Sequence, residues 1–140
     1  MEPWERLLAR EMSERELLDH VIECARAFGW LVHHDRPALT RSGRWVTALQ
    51  GHPGFPDLVL VRPPRVLFVE LKAQNGEPSE AQLHWLEQLA QCTTPETHVW
   101  RPREWLEGTV ERALKRPQTK RWLAMHLRRH RPGETELTLG

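Results

Sequence analysis

The sequence has no tyrosine, only two cysteines and almost no net charge, with 20 basic side chains against 19 acidic ones. That balance removes any simple argument from overall charge to a polyanionic partner. Cys24 and Cys92 fall inside expected helices and lack the close pairing of a zinc site. They read as free thiols of a reducing compartment, not as a disulfide or metal framework. No stretch approaches the roughly 18 apolar residues of a membrane-spanning helix, and MEPWERLLAREMSERE scatters charge where a secretory signal needs an apolar run. A cytoplasmic protein is expected, in the host cytoplasm if a phage encodes it.

What is present is enough chain for one ordinary core. The 140 residues predict a single domain over 1–131, with 132–140 as a frayed tail. The charge is unevenly placed: from Arg101 to Arg131 ten Arg or Lys residues face three acids, Glu104, Glu107 and Glu111. That excess suits a phosphate backbone, with Arg112, Lys115, Arg116, Arg121, Arg128 and Arg129 as the expected contacts. Seventeen of the 20 basic residues are arginine, which fits planar phosphate recognition and biased codon usage equally.

After a short leader with Trp4, Leu7 and Leu8, Ser13-x-x-Glu16 predicts the start of a helix over 13–28. Leu17, Leu18, Val21, Ile22, Ala25 and Phe28 recur at helical spacing, and Gly29 ends the run. Trp30 to His34 reads as a strand, Asp35 to Arg44 as a loop or hairpin, and Trp45 to Leu49 as a returning strand. Gly51-His52-Pro53-Gly54-Phe55-Pro56 must be a shaped turn, because its glycines free the backbone and its prolines remove amide donors. Two apolar strands follow, 57–61 and 66–72, joined at Arg62-Pro63-Pro64-Arg65. Ser79-x-x-Gln82 opens a helix through about Cys92, 97–101 is a short strand, and helices are expected over 103–116 and 120–130. The order describes a central mixed sheet flanked by helices, an α/β or α+β domain.

The hairpin carries the most informative geometry. With the turn centred between Pro63 and Pro64, antiparallel counting sets Asp57 opposite Glu70, and Lys72 shares their face two residues on. Two carboxylates and an ammonium then meet at the end of two apolar strands. Such a group suits Mg²⁺, a hard cation that takes oxygen ligands, and the Leu71 carbonyl would add another. Lys72 would hold or deprotonate the attacking water, or stabilise charge on a phosphate. The plainer alternative is an exposed Asp and a surface Glu–Lys pair closing a sheet.

Gly54-Phe55-Pro56-Asp57, then twelve residues to Glu70-Leu71-Lys72, then Gln82 on the next helix, resembles the PD-(D/E)XK nuclease superfamily and its VRR-NUC family, the virus-type replication-repair nucleases. The resemblance extends over nearly the first 105 residues. It implies a restriction-endonuclease-like fold, Asp57 and Glu70 as ligands of Mg²⁺ (or Mn²⁺ in its place), Lys72 as the residue that positions water, Glu16 as an auxiliary acid, and Gln82 as a partner of Lys72 or phosphate. Glu16 and Gln82 each stand at the third position of a capping box, which explains them without catalysis.

The resemblance further implies a homodimeric endonuclease acting on branched DNA, above all four-way (Holliday) junctions. A flap or nicking nuclease, or a non-catalytic nucleic-acid-binding phage protein, are the alternatives. Among other polar residues, His33 and His34 point to opposite faces of a strand, so at most one meets the active centre. His52 sits in the shaped turn, and His126 and His130 share the face of a basic helix. Trp45, after Arg41 and Arg44 in a loop, is the tryptophan best placed to meet a base.

Overall fold

The computed structural model describes residues 1–35, 38–46 and 49–116. Helices α1 (Pro3–Glu11) and α2 (Glu14–Ala27) lead into strand β1 (Leu31–His34), followed by the short strands β2 (Ala38–Leu39) and β3 (Trp45–Val46). Then come β4 (Leu58–Arg62), β5 (Arg65–Leu71), α3 (Glu80–Ala90), β6 (Glu96–Trp100), α4 (Pro102–Leu106) and α5 (Thr109–Lys115). The main sheet runs β1-β4-β5-β6, with β5 and β6 parallel and the other pairs antiparallel; β2 and β3 form a separate hairpin. This four-stranded mixed sheet with flanking helices is an α/β fold consistent with a restriction-endonuclease-like core.

Period-two patterning decides which side of the sheet each residue serves. Leu58 and Leu60 of β4, with Leu67, Val69 and Leu71 of β5, turn to a core completed by Leu17, Val21 and Ala25 of α2 and Val110 and Leu114 of α5. Each fully buried leucine there contributes on the order of 2 kcal/mol. The alternate β5 residues face α3: Phe55 meets Phe68 and Trp85 edge to face, at ring distances of 6.0 and 5.1 Å.

Some elements differ from expectation. The leader is a helix, capped by Glu2 and Glu5 with Pro3 in its first turn, and it packs on α4. The helix expected over 103–116 is two, because Gly108 adopts φ 79 between them and closes one before the next begins. Of the strand expected over 45–49, Trp45–Val46 pairs with β2, and residues 47 and 48 lie outside the described residues. The helix expected over 120–130 lies outside the described residues.

The basic residues near the C-terminal end also make contacts within the domain where they are described. Arg116 pairs with Glu96 at 2.8 Å, and Arg112 donates to the Glu107 carbonyl at 3.1 Å. Arg65 forms two hydrogen bonds to Glu96 and one to the Ala113 carbonyl, while Arg62 donates to the Phe28 and Arg116 carbonyls. Both guanidinium groups lie over Trp30, 4.8 and 5.1 Å from its ring. The Trp30 indole N–H donates to the Leu114 carbonyl at 2.9 Å. These arginines tie α5 to the hairpin turn, about 23 Å along β5 from Lys72. Arg121, Arg128 and Arg129 lie outside the described residues.

Candidate active site

The 51–56 turn is clamped onto α3. Gly54 has φ 92, and a Cβ there would lie 2.4 Å from the Ala81 carbonyl carbon. Only glycine allows that approach. The Trp85 indole N–H donates to the carbonyls of Pro53 at 3.1 Å and His52 at 3.4 Å. The chain thus enters β4 at a set height, and Asp57 is its last residue before the strand. Leu58 pairs with Val69, so Asp57 lies opposite Glu70, as the turn-centred counting predicts. The Leu71 amide donates to Asp57 Oδ2 at 2.8 Å, which ties the carboxylate across the two strands.

Glu70 is 1% exposed and is the one charged residue in the buried set among the described residues. Gln82 Nε2 donates to its Oε1 at 3.0 Å, and Lys72 Nζ lies 3.4 Å from the same oxygen. Its Oε2 is buried and has no hydrogen-bond partner among the described residues. Burial, then the neighbouring Asp57 carboxylate, push Glu70 up to about 8, with Lys72 opposing the rise. A proton shared with Asp57, or a cation, would relieve the unsatisfied oxygen.

Neighbouring loops hold the group in place. The Lys72 amide donates to the Trp100 carbonyl at 3.1 Å, extending the β5–β6 pairing by one residue. Arg101 donates twice to the Gly76 carbonyl, at 3.1 and 3.0 Å, and once to Glu77, pinning the loop between Lys72 and α3. At the start of α3, Gln82 Oε1 accepts the Ser79 amide at 2.8 Å while the Ser79 hydroxyl accepts the Gln82 amide at 3.2 Å. Gln82 therefore caps its helix and touches Glu70 at once.

Asp57, Glu70, Leu71, Lys72 and Gln82 line one cavity of about 350 Å³, closed on its other side by Glu14, Arg15, Leu18 and His34. Glu16 is not among them. Its carboxylate turns back to the Ser13 amide at 2.8 Å, the capping role that the Ser-x-x-Glu pattern also allows, and it lines a different cavity with Leu8, Met12 and His20. Two residues along a helix is a rotation of about 200°, so Glu14 faces the sheet end when Glu16 faces α4. Glu14 Oε1 lies 3.8 Å from Lys72 Nζ. Glu14 was not singled out from the sequence, and of His33 and His34 the sequence left open which one meets the site. The signal for Glu14 was its spacing of three from Leu17 on the core stripe; for His34 it was pairing with Leu58, beside Asp57. His33 points away and pairs with Asp35 at 3.0 Å. His52 engages Trp85 only through its carbonyl, and His126 and His130 lie outside the described residues.

The donor set fits a hard divalent cation. Its atoms are oxygens, one of them the unsatisfied Oε2 of Glu70, and Asp57 retains acceptor capacity beyond the Leu71 amide. Among the described residues no three His, Cys, Asp or Glu side chains converge as a closed metal cluster. Two carboxylates with remaining positions open to water and substrate is the pattern Mg²⁺ favours over an all-protein cage.

Compared with known families, residues 37–99 match the VRR-NUC domain. The match contains Asp57, Glu70, Leu71, Lys72 and Gln82 and stops short of α2, so it is narrower than the resemblance over the first 105 residues. No curated protein matches the chain, and no solved structure does. Among the described residues no helix is long and apolar enough to cross a membrane.

Proposed function

We propose that this chain, which carries the VRR-NUC domain of a nuclease family, is a Mg²⁺-dependent endodeoxyribonuclease that cuts branched DNA, with the four-way junction as its preferred substrate. The observation that carries the reading is Glu70, a buried carboxylate with one oxygen unsatisfied, set opposite Asp57 and beside Lys72. A buried acid without a full set of partners costs stability, and a place for a cation in contact with phosphate gives that cost a use.

In the proposed reaction a water oxygen attacks phosphorus and the bond from phosphorus to the 3′ oxygen breaks. The products are a 5′-phosphate and a 3′-hydroxyl, the proton lost by water reaching the leaving oxygen through solvent. Asp57, Glu70 and the Leu71 carbonyl would hold Mg²⁺, or Mn²⁺ in its place, which when bound supplies positive charge to the phosphate oxygens. Lys72, held by Glu70 and Glu14, positions the water or steadies the phosphate. Gln82 keeps Glu70 in place by donating to Oε1.

A homodimer is the proposed active form, because a two-fold axis presents two identical centres to a nearly two-fold substrate. The α1 face supports it: Trp4, Leu7 and Leu8 are 61%, 57% and 45% exposed at spacings of three and one, an apolar patch on a charged helix. Sedimentation with a synthetic four-way junction, paired with cleavage of junction, flap, nicked and linear DNA, tests substrate and stoichiometry together. A dimer that cuts the junction fastest is expected; a monomeric complex cutting linear duplex equally would overturn the junction preference.

A further inference from the structure

A second cavity, of about 550 Å³, adjoins the candidate active site and shares Arg15, Leu18 and His34 with it. From that shared wall it runs along α2 past Asp19 and Ile22 to Arg26, and is bounded by Val32 and Trp45. Residues 15, 18, 19, 22 and 26 form one continuous helix face, about 16 Å from the first arginine to the last.

Three features set this cavity apart from the rest of the basic surface. Arg62, Arg65, Arg101, Arg103, Arg112 and Arg116 all bind carbonyls or carboxylates within the domain, whereas among the described residues no ion pair or hydrogen bond engages the guanidinium group of Arg15 or Arg26; those of Arg10, Arg41 and Arg44 are likewise unengaged but line neither this cavity nor the candidate active site. Arg15 and Arg26 are the first and last residues of α2 that line the cavity, with Asp19 between them along the helix disfavouring a phosphate at the middle. Trp45, 69% exposed, is presented by a closed turn in which the Thr40 amide donates to the Arg44 carbonyl at 2.8 Å and the Arg44 amide donates to the Thr40 hydroxyl at 3.0 Å. An indole on a braced hairpin, with cations at both ends of the helix face lining the groove, is the arrangement that unpaired nucleic acid requires: stacking for a base and charge for its flanking phosphates.

We propose that this groove takes the unpaired nucleotides beside the scissile phosphate, Trp45 stacking on a base while Arg15 and Arg26 hold phosphates on either side of it. The inference rests on the nuclease reading for the position of the scissile phosphate, and it makes the enzyme selective for branch points that leave nucleotides unstacked, which in a four-way junction are the bases at the crossover when it opens. Duplex without such nucleotides has no base to offer Trp45.

The test measures binding in chelator, where turnover is absent. Fluorescence anisotropy compares a branched DNA carrying unpaired nucleotides at the branch with a fully paired linear duplex, and a 2-aminopurine at the unpaired position reports stacking. Trp45→Ala should weaken the branched complex about tenfold and abolish the 2-aminopurine change, with duplex affinity unaltered, while Trp45→Phe retains both. Arg15→Ala and Arg26→Ala should each reduce the salt slope for the branched DNA by about one. All three side chains are exposed or line the groove, and a melting curve for each variant checks the fold. Selective loss supports the groove whether or not the wild-type protein cleaves with Mg²⁺, so failure of the nuclease reading is seen separately. Unchanged binding in all variants, or equal losses for branched and paired DNA, overturns the proposal.

Discussion

Gln82 donates to Glu70 Oε1 at 3.0 Å while its own amide oxygen accepts the Ser79 N–H, so one side chain both caps α3 and steadies the buried carboxylate. The two duties can be separated. Gln82→Glu keeps a capping oxygen but places a second negative charge against Glu70, whereas Gln82→Ala removes both contacts. We expect Gln82→Glu to lose at least tenfold in cleavage with a melting temperature near wild type. Gln82→Ala should lose activity and also about 1 kcal/mol of stability. Thermal melts beside single-turnover rates check both; full activity in Gln82→Glu would remove Gln82 from the site.

The clamp between the 51–56 turn and α3 gives a second prediction. At Gly54 a methyl group meets the Ala81 backbone at 2.4 Å and φ is 92, whereas at Gly51, φ 128, a Cβ meets nothing within 4 Å. Gly51→Ala should therefore cost about 1 kcal/mol, from backbone conformation alone. Gly54→Ala should cost more than about 2 kcal/mol, because the turn must leave the helix, and it should lower cleavage by moving Asp57 away from Glu70. Denaturant midpoints of the two variants provide the comparison, and equal midpoints would contradict it.

Burial and Asp57 raise Glu70 from the ordinary carboxylate range to about 8 in the folded protein. The folded state therefore holds this proton more tightly than the unfolded chain, so stability falls as pH rises from about 4.5 to about 8. Glu70→Gln removes the titration and should melt higher than wild type in chelator, the gap opening across that window and levelling above it. The same variant should be inactive. A melting curve series against pH decides it, and a constant gap between pH 4 and 9 would contradict the coupling.

At the far end of β5 the sign reverses. The hydrogen bond from Arg65 holds Glu96 below the usual carboxylate range, against a smaller opposing effect of burial and with help from Arg116. That contribution to stability is fully present above the unfolded value near 4.5 and disappears as pH falls through the lowered folded value. Glu96→Gln should thus be less stable than wild type at neutral pH and converge with it in acid. Cleavage by this variant should stay within about twofold of wild type, since Glu96 lies at the opposite end of the strand from Lys72.

How much of this was legible in the sequence depended on the kind of signal. The strand hairpin was, because Pro63-Pro64 can occupy little but a turn and a period of two then sets every pairing, including Asp57 with Glu70. The phase of α2 against the sheet was not, since Ser13-x-x-Glu16 marks a helix start without saying which of its acids overhangs the strand ends. Glu14 holds that position, and the capping pattern drew attention to Glu16 instead. Composition could not show the contacts at the basic end either: a charge count places Arg112 and Arg116 in a basic segment, whereas the structure adds a nearby carbonyl for Arg112 and the Glu96 carboxylate, 20 residues earlier, for Arg116. The groove past Trp45 joins three elements, α2, β1 and β3, whose packing no local pattern reveals.

The central claim is that Asp57, Glu70 and Lys72 form a metal-dependent phosphodiester-cleaving centre, and its most direct test is single-turnover cleavage of a synthetic four-way junction by the purified protein. Wild type should cut with Mg²⁺ or Mn²⁺ and stop in chelator, leaving 5′-phosphate ends. Glu70→Ala should be inactive in every metal while still binding the junction. Cleavage that survives in Glu70→Ala or in chelator would contradict the claim.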